Sequence, residues 1–178
     1  MKLHLGCGKR HIPGFIHIDA VDYPHVDHVA TIDNLSFLPD ASVDLIYNCH
    51  VLEHFKRRDV PRVLTEWRRV LKPGGILRVS VPDFEKLCEV YQKYKNLDLV
   101  VGALFGRQDY LYNIHYNVFD FDTLKRELER AGFATVRRYD WRQTEHAAVD
   151  DYSQAYIPHM DKENGILISL NVECENKA

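Results

Sequence analysis

Short apolar runs that end in Gly, Asp or Asn alternate along this chain with segments whose apolar residues recur every three or four positions. KLHLG is strand-like, and GFIHIDA is a second such run, in which Phe15, Ile16 and Ile18 match a buried strand. VDHVATI predicts a weaker third strand and VDLIYNC a stronger fourth, with HVLEHF opening a helix behind it. The clearest helix comes next. Val60, Val63, Leu64, Trp67, Val70 and Leu71 share one helical face, with Asp59 as N-cap and Pro61 in the first turn. LKPGG stops that helix and turns the chain into a fifth strand, ILRVSVP. Phe84, Leu87, Cys88, Tyr91 and Tyr94 predict a helix starting near Asp83, and Phe121, Leu124, Leu128 and Ala131 predict another, closed by Gly132. FATVRRYDW and GILISLNVEC are the last two strands, with no helix between them.

Strands alternating with helices predict an α/β fold: a doubly wound, mainly parallel sheet covered on both faces as a three-layer sandwich, closed by an antiparallel strand pairing. With 178 residues, no repeats and no composition shift, the chain reads as a single domain over residues 1–178. A net charge of −3 excludes broad electrostatic capture of nucleic acid. Cys7, Cys49, Cys88 and Cys174 form no CxxC pair and read as reduced thiols, which points to the cytoplasm. No signal peptide is expected from MKLHLGCG, and LDLVVGALFG is too short to span a membrane, so no membrane partner is expected.

The candidate chemistry begins at the end of the first strand. In a doubly wound sheet, ligands bind beyond the carboxyl ends of the strands. Gly6 and Gly8 flank Cys7 there, and glycine lets the backbone curve tightly and approach a ligand. Asp19 ends the next strand, where a carboxylate can accept hydrogen bonds from ribose hydroxyls. A dinucleotide fingerprint requires a third glycine opening a helix and an acid about twenty residues on. Here that glycine is missing and Asp19 follows Gly8 too closely, so a nucleoside without a pyrophosphate fits better than NAD.

The ordered series LGCG, HIDA, IDNLSFLPDASVDLIYNCHVLEHF and EWRRVLKPGGILRVSVP resembles the class I S-adenosylmethionine-dependent methyltransferases, the methyltransferase type 11 group above all. The resemblance is close over residues 1–82, the cofactor-binding half, and loose over residues 83–178, the acceptor-side half. It implies a Rossmann-like domain that binds S-adenosyl-L-methionine and releases S-adenosyl-L-homocysteine. It also implies that Gly6, Cys7 and Gly8 line the methionine and ribose portions and that Asp19 holds the ribose. Asp33 would accept from the adenine amine with Asn34 and Leu35 framing the ring, and Asn48, Cys49 and His50 would pass under the sulfonium. Each residue also has a local alternative: Asp33-Asn34 as a turn pair, Asn48 as a helix cap. The chain starts at its first strand, so the helices many relatives fold over the cofactor are not in this sequence, and later segments must cover the pocket or leave it open.

Methyl transfer from a sulfonium is a displacement whose barrier is lowered mainly by alignment, and a base is needed only where the acceptor must lose a proton. His115, among Tyr110, Tyr112 and Tyr116, is the first candidate base and Asp83 the second, with His50 and His159 behind them. His54 reads as structural. Of the ten histidines only His50 and His54 share helical four-residue spacing, so no metal is expected. The tyrosine-rich stretches suit a small-molecule or glycosyl acceptor methylated on O or N, an expectation that rests on analogy. A homodimer is the protein assembly considered. The rival readings are a catalytically inactive cofactor-binding adaptor, a nicotinamide oxidoreductase, and an interaction module that binds neither cofactor.

Overall fold

The computed structural model describes residues 1–177. Seven strands form one sheet: β1 (Lys2–Leu5), β2 (Ile16–Asp19), β3 (His28–Val29), β4 (Val43–Cys49), β5 (Leu71–Pro82), β6 (Phe133–Arg138) and β9 (Ser169–Asn176). A small hairpin pairs β7 (Tyr156–Ile157) with β8 (Ile166–Leu167). The helices are α1 (Val60–Val70), α2 (Phe84–Tyr94), α3 (Asp98–Phe105) and α4 (Phe121–Arg130). In the sheet the order is β3-β2-β1-β4-β5-β9-β6. The first five of these neighbours run parallel, and β9 is antiparallel to both β5 and β6. The strand order reverses at β1, which puts the carboxyl ends of β1, β2 and β4 around one crevice.

One face of the sheet carries the main core. Leu3, Leu5, Ile18 and Ile46 pack there against Val60, Val63, Leu64, Trp67 and Val70 of α1 and Leu124 and Leu128 of α4. Burying each of these side chains contributes about 1.5–3 kcal/mol. Trp67 adds a polar tie, its indole N–H donating to the carbonyl of Ile32 at 2.8 Å. On the opposite face Leu45 and Tyr47 alternate with Ile46 and pack on Ile12 and Phe15. Irregular chain covers this face: Val149 packs on the same cluster, and the His146 ring lies 4.1 Å from that of Tyr47. A third cluster joins Leu87 and Val90 of α2 to Val100 of α3 and Ile168.

Two local expectations are corrected. HVLEHF forms a single 3-10 turn, Leu52–His54, rather than a longer helix. His50 leaves the strand with φ +54 while its N–H stays bonded to the Ser80 carbonyl at 2.8 Å, so no helix starts there. LKPGG does not separate helix from strand. Leu71 already pairs with Val43 and Ile76 with Leu45, which leaves Lys72–Gly75 as an outward bulge within β5. LDLVVGALFG, apolar nearly all round and so without clear periodicity, contributes α3.

Candidate active site at the carboxyl ends of the strands

The chain leaves β1 through Gly6 at φ +65, its N–H donating to the Ile18 carbonyl of β2 at 2.8 Å. A side chain at Gly6 would bring its Cβ to 2.5 Å from Val51 Cγ2, so this glycine also lets the β1 and β4 ends approach each other. Gly8, at φ +52, faces open space. Cys7 between them is buried, which pushes its thiol up to about 12 and makes it an inert lining group. Asp19 ties the loop to β2: one carboxylate oxygen accepts from Gly8 N–H and the other from Val21 N–H, both at 2.8 Å. The side chain is 9% exposed. Each oxygen keeps a second lone pair for a ligand hydroxyl.

Asn48 sits opposite Leu5 at the end of β4, fully buried, and neither its amide nitrogen nor its amide oxygen has a hydrogen-bond partner. An orphaned amide in that position is a group held ready for a ligand. Cys49, beside it, is held as a neutral thiol by burial, with Asp151 and Glu53 adding to the effect. The structure thus brings Gly6, Cys7, Gly8, Asp19, Asn48 and Cys49 to one crevice, with His50 at its edge.

The predicted adenine-side residues are placed differently. One Asp33 oxygen accepts from Arg62 of α1 at 2.6 Å. Burial alone would raise the Asp33 pKa, but hydrogen bonds from Arg62 and Thr31 outweigh it and lower the value. Asn34 closes a turn by accepting from Ser36 N–H at 3.2 Å, and the Leu35 side chain is fully buried in the main core. Asp83 is also committed: it caps α2 through Glu85 N–H at 3.1 Å and accepts from Arg138 at 3.1 Å.

A second buried cluster gathers around an acid that the sequence does not single out. Glu53, in the 3-10 turn after β4, is fully buried, and neither carboxylate oxygen has a hydrogen-bond partner. Burial pushes its pKa up to about 8. Its Oε1 lies 3.5 Å from His50 Nδ1 and 4.0 Å from His115 Nε2. His115 Nδ1 donates to the Ala103 carbonyl at 2.8 Å, which fixes its tautomer. Burial lowers the pKa of His115 and takes His50 to about 3, with His115 and His54 adding to the latter. The signal available in sequence was an acid between Leu52 and His54 on an otherwise apolar turn. Its meaning comes only from the cover: Tyr116 and Asn117 both donate backbone N–H groups to the Glu53 carbonyl, at 2.8 and 3.2 Å.

The segment from Gly106 to Tyr116 folds back on itself through Gln108 N–H to the Asn113 carbonyl at 2.9 Å. It brings Tyr110 near Tyr23, Asp19 and Tyr152, whose charges add to burial in raising the Tyr110 pKa. No helix among the described residues is long and apolar enough to cross a membrane.

The residues fit S-adenosylmethionine. Asp19, with a spare lone pair on each oxygen, would suit the ribose hydroxyls, the Gly6–Gly8 turn the methionine portion, and the unpartnered Asn48 amide a further polar group. A family profile described as a methyltransferase domain matches residues 12–79. A probable S-adenosylmethionine-dependent methyltransferase of Mycolicibacterium smegmatis is 44% identical over 63 residues, a match covering 34% of this chain and 23% of that protein. The chain thus spans about a quarter of that relative's length. Among solved structures, a SAM-dependent methyltransferase of Archaeoglobus fulgidus superposes with a TM-score of 0.59 at 15% identity, covering 98% of this chain and 85% of the other. The 1,6-didemethyltoxoflavin-N1-methyltransferase of Burkholderia thailandensis, solved with its substrate and S-adenosylhomocysteine, gives 0.58 at 14% identity, covering 99% and 71%. The chain thus shares its fold with these solved methyltransferases, and its residues 12–79, which include Asp19, Asn48 and Glu53, are similar to a methyltransferase domain.

Proposed function

We propose that the chain transfers a methyl group from S-adenosylmethionine to an oxygen or nitrogen atom of a small molecule or glycosyl intermediate. The observation that carries this reading is the Asp19 carboxylate: buried, oriented by two backbone N–H groups of the loops it joins, and left with lone pairs facing the Gly6–Gly8 turn. When bound, S-adenosylmethionine supplies an electrophilic methyl on a sulfonium. Asp19 holds the ribose, and the unpartnered Asn48 amide binds further along the same crevice. Tyr110 and Tyr152, both more than half exposed and near each other over the crevice, suit contact with a ring or sugar. An acceptor hydroxyl or ammonium gives up its proton on the side of the Glu53, His50 and His115 cluster, where His115 Nε2 is a free lone pair. Asp33, whose remaining lone pairs are those not used by Arg62, is the acceptor proposed for the adenine amine. The small-molecule acceptor takes support from the absence of a basic surface excess and from the Burkholderia neighbour, whose own substrate is a small heterocycle.

The test is transfer of labelled methyl from S-adenosylmethionine into a panel of hydroxyl- and amine-bearing small molecules and glycosides. Incorporation into one acceptor class, with His115→Ala slowing it at least tenfold while sparing cofactor affinity, is the expected result. Cofactor binding with no transfer to any acceptor would replace the enzyme with a cofactor-binding adaptor.

A further inference from the structure

The Glu53 cluster has an imbalance that proteins do not ordinarily leave in place. A carboxylate with no hydrogen-bond donor is buried completely, and such a group costs several kcal/mol unless paired. One of the imidazoles that face it is an acceptor as well. His115 spends its Nδ1 proton on the Ala103 carbonyl at 2.8 Å, so Nε2 turns a lone pair toward Glu53 Oε1 at 4.0 Å. His50 places Nε2 on Ser169 Oγ at 2.9 Å, and its Nδ1 lies 3.5 Å from Glu53 Oε1. His54 has a backbone carbonyl at 3.1 Å from each ring nitrogen, those of Ile114 and His50. A neutral imidazole carries one N–H, so one of those nitrogens also presents a lone pair to an oxygen. Donor atoms converge with nothing positive between them.

We propose that Glu53, His54 and His115 form a divalent transition-metal site, with His50 as a fourth donor at its edge. One ligand atom from each of the first three lies within 4.8 Å of the others. Bonds of about 2.1 Å to a tetrahedral ion set its ligands about 3.4 Å apart, so modest side-chain shifts close the set. Mixed imidazole and carboxylate donors select zinc, cobalt, iron or manganese over magnesium or calcium, which favour all-oxygen shells. The hydrogen bond from His115 Nδ1 to the Ala103 carbonyl is the outer-shell support that fixes a ligating histidine. Burial keeps His54 and His50 neutral, the ligand form.

The second histidine group of the molecule does not compete. His4, His11, His17 and His25 stack edge and face at 4.9–6.0 Å between ring centroids, and among the described residues they form no ligand set within bonding reach. The cation site shares Glu53, His50 and His115 with the proton-accepting side of the methyl-transfer reading, but does not depend on it. Where both hold, His115 serves as a ligand rather than as the base, and an acceptor oxygen or nitrogen takes an open coordination position.

The experiment is titration of the untagged, chelator-treated full chain with cobalt(II), followed by visible absorption, and by zinc(II) displacement. The expected result is a d–d spectrum saturating at one equivalent and bleached by zinc. Glu53→Gln and His115→Ala should weaken cobalt affinity at least tenfold while keeping the wild-type circular dichroism and S-adenosylhomocysteine affinity. His25→Ala should leave the spectrum unchanged. Absence of saturable cobalt and zinc binding overturns the proposal, as does unchanged affinity in both cluster variants or loss of binding in His25→Ala. Loss of S-adenosylhomocysteine binding with cobalt binding intact would instead overturn the methyl-transfer reading alone.

Discussion

Asp19 and Glu53 are both buried acids just beyond the carboxyl ends of neighbouring parts of one sheet, yet their surroundings are opposite. Asp19 accepts from two backbone N–H groups and ties the β1 loop to the segment after β2. The Glu53 carboxylate accepts from nothing and has the imidazoles of His50 and His115 at 3.5 and 4.0 Å. The difference separates two ways of holding a negative charge out of water. Backbone donors orient a carboxylate and leave it available for a neutral polar ligand such as a diol. A carboxylate without donors stays protonated, or waits for a cation.

Removing the first acid should have the largest effect. Asp19→Ala deletes charge-assisted bonds each worth roughly 1.5–3 kcal/mol and also frees the Gly8 loop, so affinity for S-adenosylhomocysteine should fall about 100-fold or more by calorimetry. Gly6→Ala attacks the same crevice through its walls. A Cβ there meets Val51 at 2.5 Å on a backbone at φ +65, which should cost about 2–3 kcal/mol in urea unfolding and weaken cofactor binding with it.

The stacked histidines around His4, on the sheet face opposite Leu3 and Leu5, test how far burial without a charged partner reaches. Burial, with His17, His146 and His25 adding, lowers His4 to about 3 from an ordinary 6.5. Between those values the folded protein binds fewer protons than the unfolded chain, so stability rises with pH. The contribution is complete above 6.5 and is lost as pH falls toward 3. His4→Phe should flatten this acid limb, recovering about 2 kcal/mol near pH 5 in denaturant titrations. The smallest effect is expected at Glu53 in chelator-treated protein. Glu53→Gln replaces an unpaired buried acid with a neutral isostere and should raise thermal stability by about 1 kcal/mol. A large loss there would mean the carboxylate already has a partner and would collapse the contrast with Asp19.

The same contrast explains what was legible in the chain. Asp19 and the Gly6–Gly8 turn were readable because their chemistry is local: a strand, a tight turn and an acid at the next strand's end. The strand and helix order was readable for the same reason, with Trp67 and Val63 marking α1 and Leu124 and Leu128 marking α4. Glu53 was not readable, because residues from Ala103 to Asn117 bury it and supply His115, and no periodicity links that segment to LEHF. Leu35 shows the reverse case. Its neighbour Asp33 carries the resemblance to a family motif, but the Leu35 side chain is taken by the core. Asp83 likewise suited a base in sequence and is held in the structure by α2 and Arg138.

Whether the Asp19 crevice binds an adenosyl cofactor is decided by calorimetric titration of the protein with S-adenosylhomocysteine, with NAD and the Asp19→Ala variant as controls. Saturation at one equivalent for S-adenosylhomocysteine, no heat with NAD, and affinity reduced about 100-fold or more in the variant are expected. Silence with S-adenosylhomocysteine, or equal affinity in wild type and Asp19→Ala, would remove Asp19 from the ribose role and the cofactor from this crevice.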